Sequence, residues 1–486
     1  MVLYFLIGAA VLYLWVLPLW NGFWLDECIA LYMVQGGLSQ IVPRSFIGFQ
    51  SLGYSIVEWI MLQLGATTEP VLRLPSLFAG LATVYVLYRL GTEVLDPEFG
   101  LTVAALFASM PLLSLEIPNA RPYPIAMLAQ AGGWLWLFRW LRSSRIRDGL
   151  LWIVCSSVAA YLHLLFLIPI GLAGLYVIFI FAKRSPAQLV QVAICGMAGA
   201  VLVLPLAPQL LEMARQSHWL SIKSDAPWAY LPQALVPLST AVAVVLTLAL
   251  GWISGRRPHW RVPPGCRDAP TLGAWVLIPP VVIYFAITKY AETPLFVSRY
   301  VLPSMIGGVL LWGWLIRGIE PPRVRNMSVV MATVFGIVLA ARFAAVPGLV
   351  PNYRNEDWRA AANALPRTGY VLLYPGLAET QRLERLRVPE RKQYMTTPVT
   401  FFRPDVSPER TELVPLTPGT AERAYMQPVV GRVSAARQQV TIVARAYPSG
   451  PEWAAWLSDQ LVRAGFRKVQ DSTRGQIIVT VWAPSS

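Results

Sequence analysis

This sequence predicts a polytopic α-helical membrane protein followed by a small α/β domain outside the membrane. Three observations carry that expectation. Apolar runs close to the length of a bilayer crossing recur from Val2 to about Ala345 and then stop. Of the 486 residues, 56% are hydrophobic and 14% charged, whereas a soluble domain carries about a quarter charged residues. The basic residues also crowd into a few short loops between the runs.

The hydrocarbon core needs about 20 apolar residues per helical crossing. Expected spans fall at about 2–20, 72–91, 99–115, 122–141, 149–162, 165–182, 187–208, 232–254, 272–288, 299–316 and 327–345, or about 11 transmembrane helices. The stretch from Leu150 to Ala182 is too long for one crossing, so two short helices must turn near Tyr161-Leu162-His163. The first run, Val2 to Trp20, has no basic flank before it and no small-residue cleavage site after it, and reads as a retained span. A membrane domain over 1–346 is expected, with 21–71 as a first loop, and a tail domain over 347–486.

A formal net charge of +14 suggests nucleic acid or anionic lipid in a soluble protein, so placement decides. Arg139, Arg142, Arg145 and Arg147 share one loop, Lys183 and Arg184 another. Arg256, Arg257, Arg261 and Arg267 form a third, Arg317, Arg323 and Arg325 a fourth. Such loops mark the cytoplasmic face, so no nucleic-acid partner is implied. An odd number of crossings then puts the N-terminus inside and everything after Arg342 outside, as expected of a plasma-membrane protein. Cys28, Cys155, Cys195 and Cys266 fall on different sides or within spans, and no disulfide framework is implied.

The outer loops hold the chemistry. The first, Asn21 to Arg73, carries Asp26, Glu27, Arg44 and Glu58 among amphipathic stretches such as Ile56-Val57-Glu58-Trp59-Ile60-Met61, suited to interfacial helices. Later outer turns carry Glu116 and Arg121, then His163, then Lys289, Glu292 and Arg299. A larger one adds Glu212, Arg215, His218, Lys223 and Asp225. The tail becomes polar and proline-rich. It has a helix-like opening at Asn352–Arg359, strand candidates at 370–374, 440–445 and 476–482, and a helix at about 452–464 bounded by Gly465.

Adjacent carboxylates beside an apolar surface gain proton affinity, as a general base requires. That points to Asp26 and Glu27, against the alternative of two solvated loop acids. Arg73, Arg121 and Arg299 break the charge trend at outer ends, where guanidinium groups suit a phosphate leaving group; the alternative is snorkelling to headgroups. Glu116 and His163 are candidates for a divalent cation, against a core histidine that is merely satisfied. No dense zinc-type spacing occurs.

The order Trp24-Leu25-Asp26-Glu27, Arg73-Leu74-Pro75-Ser76-Leu77-Phe78-Ala79-Gly80, Ala120-Arg121-Pro122-Tyr123, Tyr161-Leu162-His163 and Ser298-Arg299-Tyr300-Val301-Leu302-Pro303 resembles the GT-C membrane glycosyltransferases. Within them it is most similar to the protein mannosyltransferase and lipid A aminoarabinose transferase branch. Glu356-Asp357-Trp358-Arg359 also looks like the start of the tail in bacterial members. The resemblance covers about the first 360 residues. It implies transfer of a sugar from a polyprenyl-phosphate donor to a hydroxyl of a protein, lipid or glycan in the cell envelope, with inversion. It maps the base onto Asp26 with Glu27 beside it, the phosphate contacts onto Arg73, Arg121 and Arg299, and the substrate lining onto Tyr123 and Tyr300. Where many members carry His-Pro-Pro-Leu-Tyr, this chain reads Phe49-Gln50-Ser51-Leu52-Gly53-Tyr54, so a metal contact from that histidine is missing. A lipid-linked-sugar flippase and a silent assembly subunit are the competing classes; the absence of repeated halves and of midplane charges speaks against the first.

Overall fold

The computed structural model describes residues 1–48, 50–216, 227–263, 268–290, 296–342 and 350–485. Phe49, His218, Lys223, Asp225, Cys266, Arg267 and Glu292 lie outside the described residues. Over the described residues each expected span falls largely on helix. Among the described residues seven are long and apolar enough to cross a membrane: Val2–Trp20, Glu69–Val94, Leu164–Ala182, Pro186–Arg215, Asp268–Tyr290, Arg299–Arg317 and Pro322–Arg342. The expected count of about 11 is larger because Pro97–Ala108 and Leu238–Ile253 are short apolar helices, Tyr123–Ser143 ends in arginines and Ile146–Leu162 has 17 residues. The protein is a multi-pass membrane protein. As the length argument requires, the chain turns at His163, between Ile146–Leu162 and a short 3-10 turn that leads into Leu167–Ala182.

Two compact units make up the chain. One comprises Met1–Leu19, Ser51–Val57 and Ala66–Tyr353; the other comprises Trp20–Gln50, Glu58–Gly65 and Arg354–Ser486. Most of the first outer loop therefore shares a unit with the tail.

In the membrane unit, helices meet where side chains are smallest. A Cβ added to Gly273 would lie 2.7 Å from the carbonyl oxygen of Gly307, and one on Gly91 would lie 2.6 Å from the Cα of Gly100. Between helices in lipid, such close approach supplies packing that the hydrophobic effect cannot. The basic loops gather with acids at one end of these helices. Arg317 pairs with Asp96 at 2.8 Å and Glu98 at 3.2 Å, Arg325 with Glu98 at 3.1 Å, and Arg139 with Glu93 at 2.5 Å. Asp96 also caps Pro97–Ala108, accepting the Phe99 N–H at 2.8 Å. A short antiparallel pair, β1 (His259–Trp260) and β2 (Ile319–Glu320), lies in the same unit.

The second unit contains a five-stranded sheet in the order β4-β3-β5-β7-β6, from β3 (Tyr370–Tyr374), β4 (Thr411–Leu413), β5 (Val440–Arg445), β6 (Phe466–Arg474) and β7 (Ile477–Pro484). Parallel pairing of β3 with β4 and β5 puts their carboxyl ends on one edge; β7 runs antiparallel to β5 and β6. On one face of β5, Val440, Ile442 and Ala444 alternate toward a core that holds Trp453, Leu457 and Leu461 of the Gly450–Arg463 helix, the periods of two and four that strand and helix impose. Gly465, at φ +77°, ends that helix with a conformation glycine adopts freely.

Candidate functional site

Asp26 stands on a short helix, Leu25–Tyr32, whose first turn is acidic. A helix start leaves N–H groups without partners and a partial positive charge. Here two carboxylates meet them: Glu27, fully buried, accepts the Trp24 N–H at 3.3 Å, and Glu356 accepts the Leu25 N–H at 3.0 Å. Glu27 is thus built into the helix cap, while Asp26 beside it is half-buried and keeps part of its surface open.

The same unit sets a third carboxyl near Asp26. Glu379, in the short turn Ala378–Gln381 after β3, has its proton affinity raised first by burial and further by the charge of Asp26. Its Oε1 accepts from the Tyr394 hydroxyl at 3.4 Å, and the Tyr394 ring meets Tyr32 edge-on, with centroids 5.3 Å apart. The Pro389–Thr400 helix that carries Tyr394 packs on the Asp26 helix.

In the membrane unit, Arg73, Arg121 and Arg299 lie at the ends of helices whose opposite ends carry the arginine pairs of Glu93, Asp96 and Glu98. Arg73 is buried on Glu69–Val94 and donates to the carbonyl of Leu19 at 2.8 Å, tying down the end of the first span. Ser76, one turn on, donates to the carbonyl of Arg121 at 3.1 Å, so the Arg-Leu-Pro-Ser stretch and the Ala-Arg-Pro-Tyr stretch meet. Arg121 lies 5.8 Å from the Tyr123 ring and Arg299 5.4 Å from the Tyr300 ring, within cation–π range. His163 sits between the two tyrosines, its ring centroid 4.9 Å from Tyr123 and 6.0 Å from Tyr300.

In its turn, His163 is held well below the ordinary imidazole range, at about 3, by burial first and then by the charges of Arg121 and Arg299. It is neutral at physiological pH, and its Nδ1 accepts the Leu165 N–H at 3.3 Å. Glu116 is buried in the same region and lines a small cavity with Tyr123, Ile117 and Leu302. The fold thus brings Arg121, Tyr123, His163, Arg299 and Tyr300 together. The arrangement offers two cations, aromatic faces and a neutral imidazole, a set suited to an anionic group with an apolar or sugar neighbour.

Among the described residues no group of three or more His, Cys, Asp or Glu gathers in a metal-ligand arrangement. Glu356, Glu379 and Tyr394 carried no sequence signal of their own, apart from the place of Glu356 in the tail-opening stretch.

No protein-family model matches this sequence, and no curated protein matches it. Solved structures do. ArnT from Cupriavidus metallidurans, an aminoarabinose transferase, matches in the apo state with a TM-score of 0.55 and 11% identity, over 98% of this chain and 97% of ArnT. ArnT bound to undecaprenyl phosphate matches with a TM-score of 0.52 over the same shares at 11% identity. The arabinofuranosyltransferase AftD from Mycobacteria gives 0.52 at 16% identity, over all of this chain and 40% of AftD. The chain shares the fold of these solved proteins. The GT-C likeness spans the tail as well as the helices, which the sequence resemblance, stopping near residue 360, did not reach.

Proposed function

We propose that this chain transfers a sugar from a polyprenyl-phosphate donor to an acceptor hydroxyl, with inversion, at the extracytoplasmic face. The observation that carries the reading is the gathering of Arg121 and Arg299 around neutral His163 in a chain with the GT-C fold. A polyprenyl phosphate is a dianionic head on an apolar tail, and one solved neighbour was determined with undecaprenyl phosphate bound.

Asp26 serves as the base that takes the acceptor proton while the sugar anomeric carbon leaves its phosphate. Arg121 and Arg299 neutralise the charge growing on the departing phosphate, so no general acid is needed. Arg73, bonded to the end of the first span, holds the arginine-lined region in shape and adds positive potential. Tyr123 and Tyr300 present ring faces to the sugar and lipid. Glu116 and His163 do not make a good cation site here: two arginines repel a metal and His163 Nδ1 is occupied, so the reading assigns no step to a metal. The clustered loop arginines support a cytoplasmic N-terminus and an arginine-lined end outside.

The test is a transfer assay with a polyprenyl-phosphate sugar and the purified protein. Asp26→Asn abolishes turnover while Arg299→Ala weakens donor binding; full activity of both variants would overturn the reading.

A further inference from the structure

Resting on that reading, the geometry points to Glu356 as the positioning residue that sets the Asp26 helix, making the tail a fixed mount for the base. Its carboxylate is almost fully buried, with the side chain 1% exposed. A buried charge is tolerated only when every oxygen is engaged, and here each is engaged twice. Oε2 takes the Leu25 N–H at 3.0 Å and the Trp358 Nε1–H at 2.9 Å. Oε1 takes Arg445 Nε–H at 2.9 Å, with the second Arg445 nitrogen at 2.7 Å.

Each partner has a location that matters. Leu25 opens the helix of Asp26, so Glu356 holds the residue immediately before the base. Arg445 ends β5 on the carboxyl edge of the parallel strands, the edge at which such sheets ordinarily take ligands. Here the chain's own carboxylate fills that position and carries the Asp26 helix with it. Neighbouring contacts repeat the coupling: the Trp358 N–H reaches the Phe23 carbonyl at 3.3 Å, and the Arg354 guanidinium lies 4.0 Å from the Trp24 ring. A Cβ on Gly22 would lie 2.8 Å from the Cα of Asp357, so the two segments run in backbone contact.

A general base displaced by about 1 Å loses on the order of 10²-fold in rate. Glu356 does not touch substrate; it acts through the helix. Glu356→Ala therefore lowers kcat by on the order of 10²-fold while the donor KM stays within about twofold. Glu356→Gln, which keeps an acceptor for Leu25 and Trp358 but loses the charge toward Arg445, recovers about tenfold of that loss.

The experiment uses full-length protein in detergent or nanodiscs, with amide hydrogen exchange over residues 22–32 and steady-state transfer kinetics on wild type, Glu356→Ala, Glu356→Gln and Asp26→Asn. Faster exchange confined to 22–32 with the kcat-only loss and partial rescue by Gln is the expected result. Unchanged exchange in Glu356→Ala, or a loosened helix with wild-type kcat, overturns the mount. Should Glu356→Ala unfold the tail, the Gln variant, which keeps the bond to Leu25, decides by the same two readouts. Full activity of Asp26→Asn refutes the transferase reading itself, and the exchange data still decide whether Glu356 holds the helix.

Discussion

The membrane unit and the tail-containing unit each hold a buried charge against the helix end of matching polarity, a cation in the first and carboxylates in the second. In the membrane unit, Arg73 is buried against the carbonyls that close the first span, where the helix dipole is negative. In the other unit, Glu27 and Glu356 are buried against the N–H groups that open the Asp26 helix, where it is positive. A buried ion in either place exchanges water for fixed backbone dipoles. The difference teaches that Arg73 and the Glu27 and Glu356 carboxylates are each specified by a helix end, so each can be perturbed separately.

The largest expected effect tests the carboxylate side. Asp26→Asn lowers transfer by about 10³-fold or more while the melting temperature changes little, because a half-buried helix-start residue replaced by its isostere costs about 0.5 kcal/mol or less. A variant that lost stability along with activity would make Asp26 a packing residue like Glu27. Next come the cations: Arg299→Ala and Arg121→Ala raise the donor Kd by about 10- to 100-fold, read by titration with a polyprenyl phosphate. Equal losses in acceptor affinity would blur the division of labour. Within the same cluster, the transfer rate shows no inflection near pH 6.5 from His163, since burial and two arginines keep it neutral down to about 3; an inflection removed by His163→Gln would contradict that environment.

Smaller effects probe stability. Asp96→Ala removes both the Phe99 cap and the Arg317 pair, at a cost of about 1–2 kcal/mol, measured as a lower unfolding midpoint. Glu379 gives the smallest. Its folded proton affinity is raised above the ordinary 4.5 by burial and by Asp26. Below pH 4.5 both folded and unfolded chains hold the proton and nothing is lost. As pH rises the unfolded chain ionises first, so stability falls until the folded pKa is passed. Glu379→Gln therefore gains on wild type in melting temperature as pH rises above the ordinary 4.5, and a flat difference would place Glu379 in water.

Much of this was legible along the chain. Spans came from run length, because lipid demands about 20 apolar residues whatever the tertiary context. The turn at His163 followed from the length of the run from Leu150 to Ala182, too long for one crossing. β3, β5 and β7 are buried, branched runs and were visible; β4, with three residues, and β6, with the polar sequence Phe466–Arg474 on an edge, were not. The arginines stood out by breaking the charge trend, whereas nothing near Glu379 or Tyr394 distinguishes them from other tail residues.

Sequence alone determined that the chain crosses a membrane repeatedly, which ends of the spans carry anomalous arginines, and that an α/β tail follows, because hydropathy and charge placement are local properties. Only the tertiary structure decided that Glu356 reaches across 331 positions to Leu25, and that most of the first loop and the tail form one unit. Those contacts depend on which distant N–H is left without a partner after folding, and no local pattern encodes that.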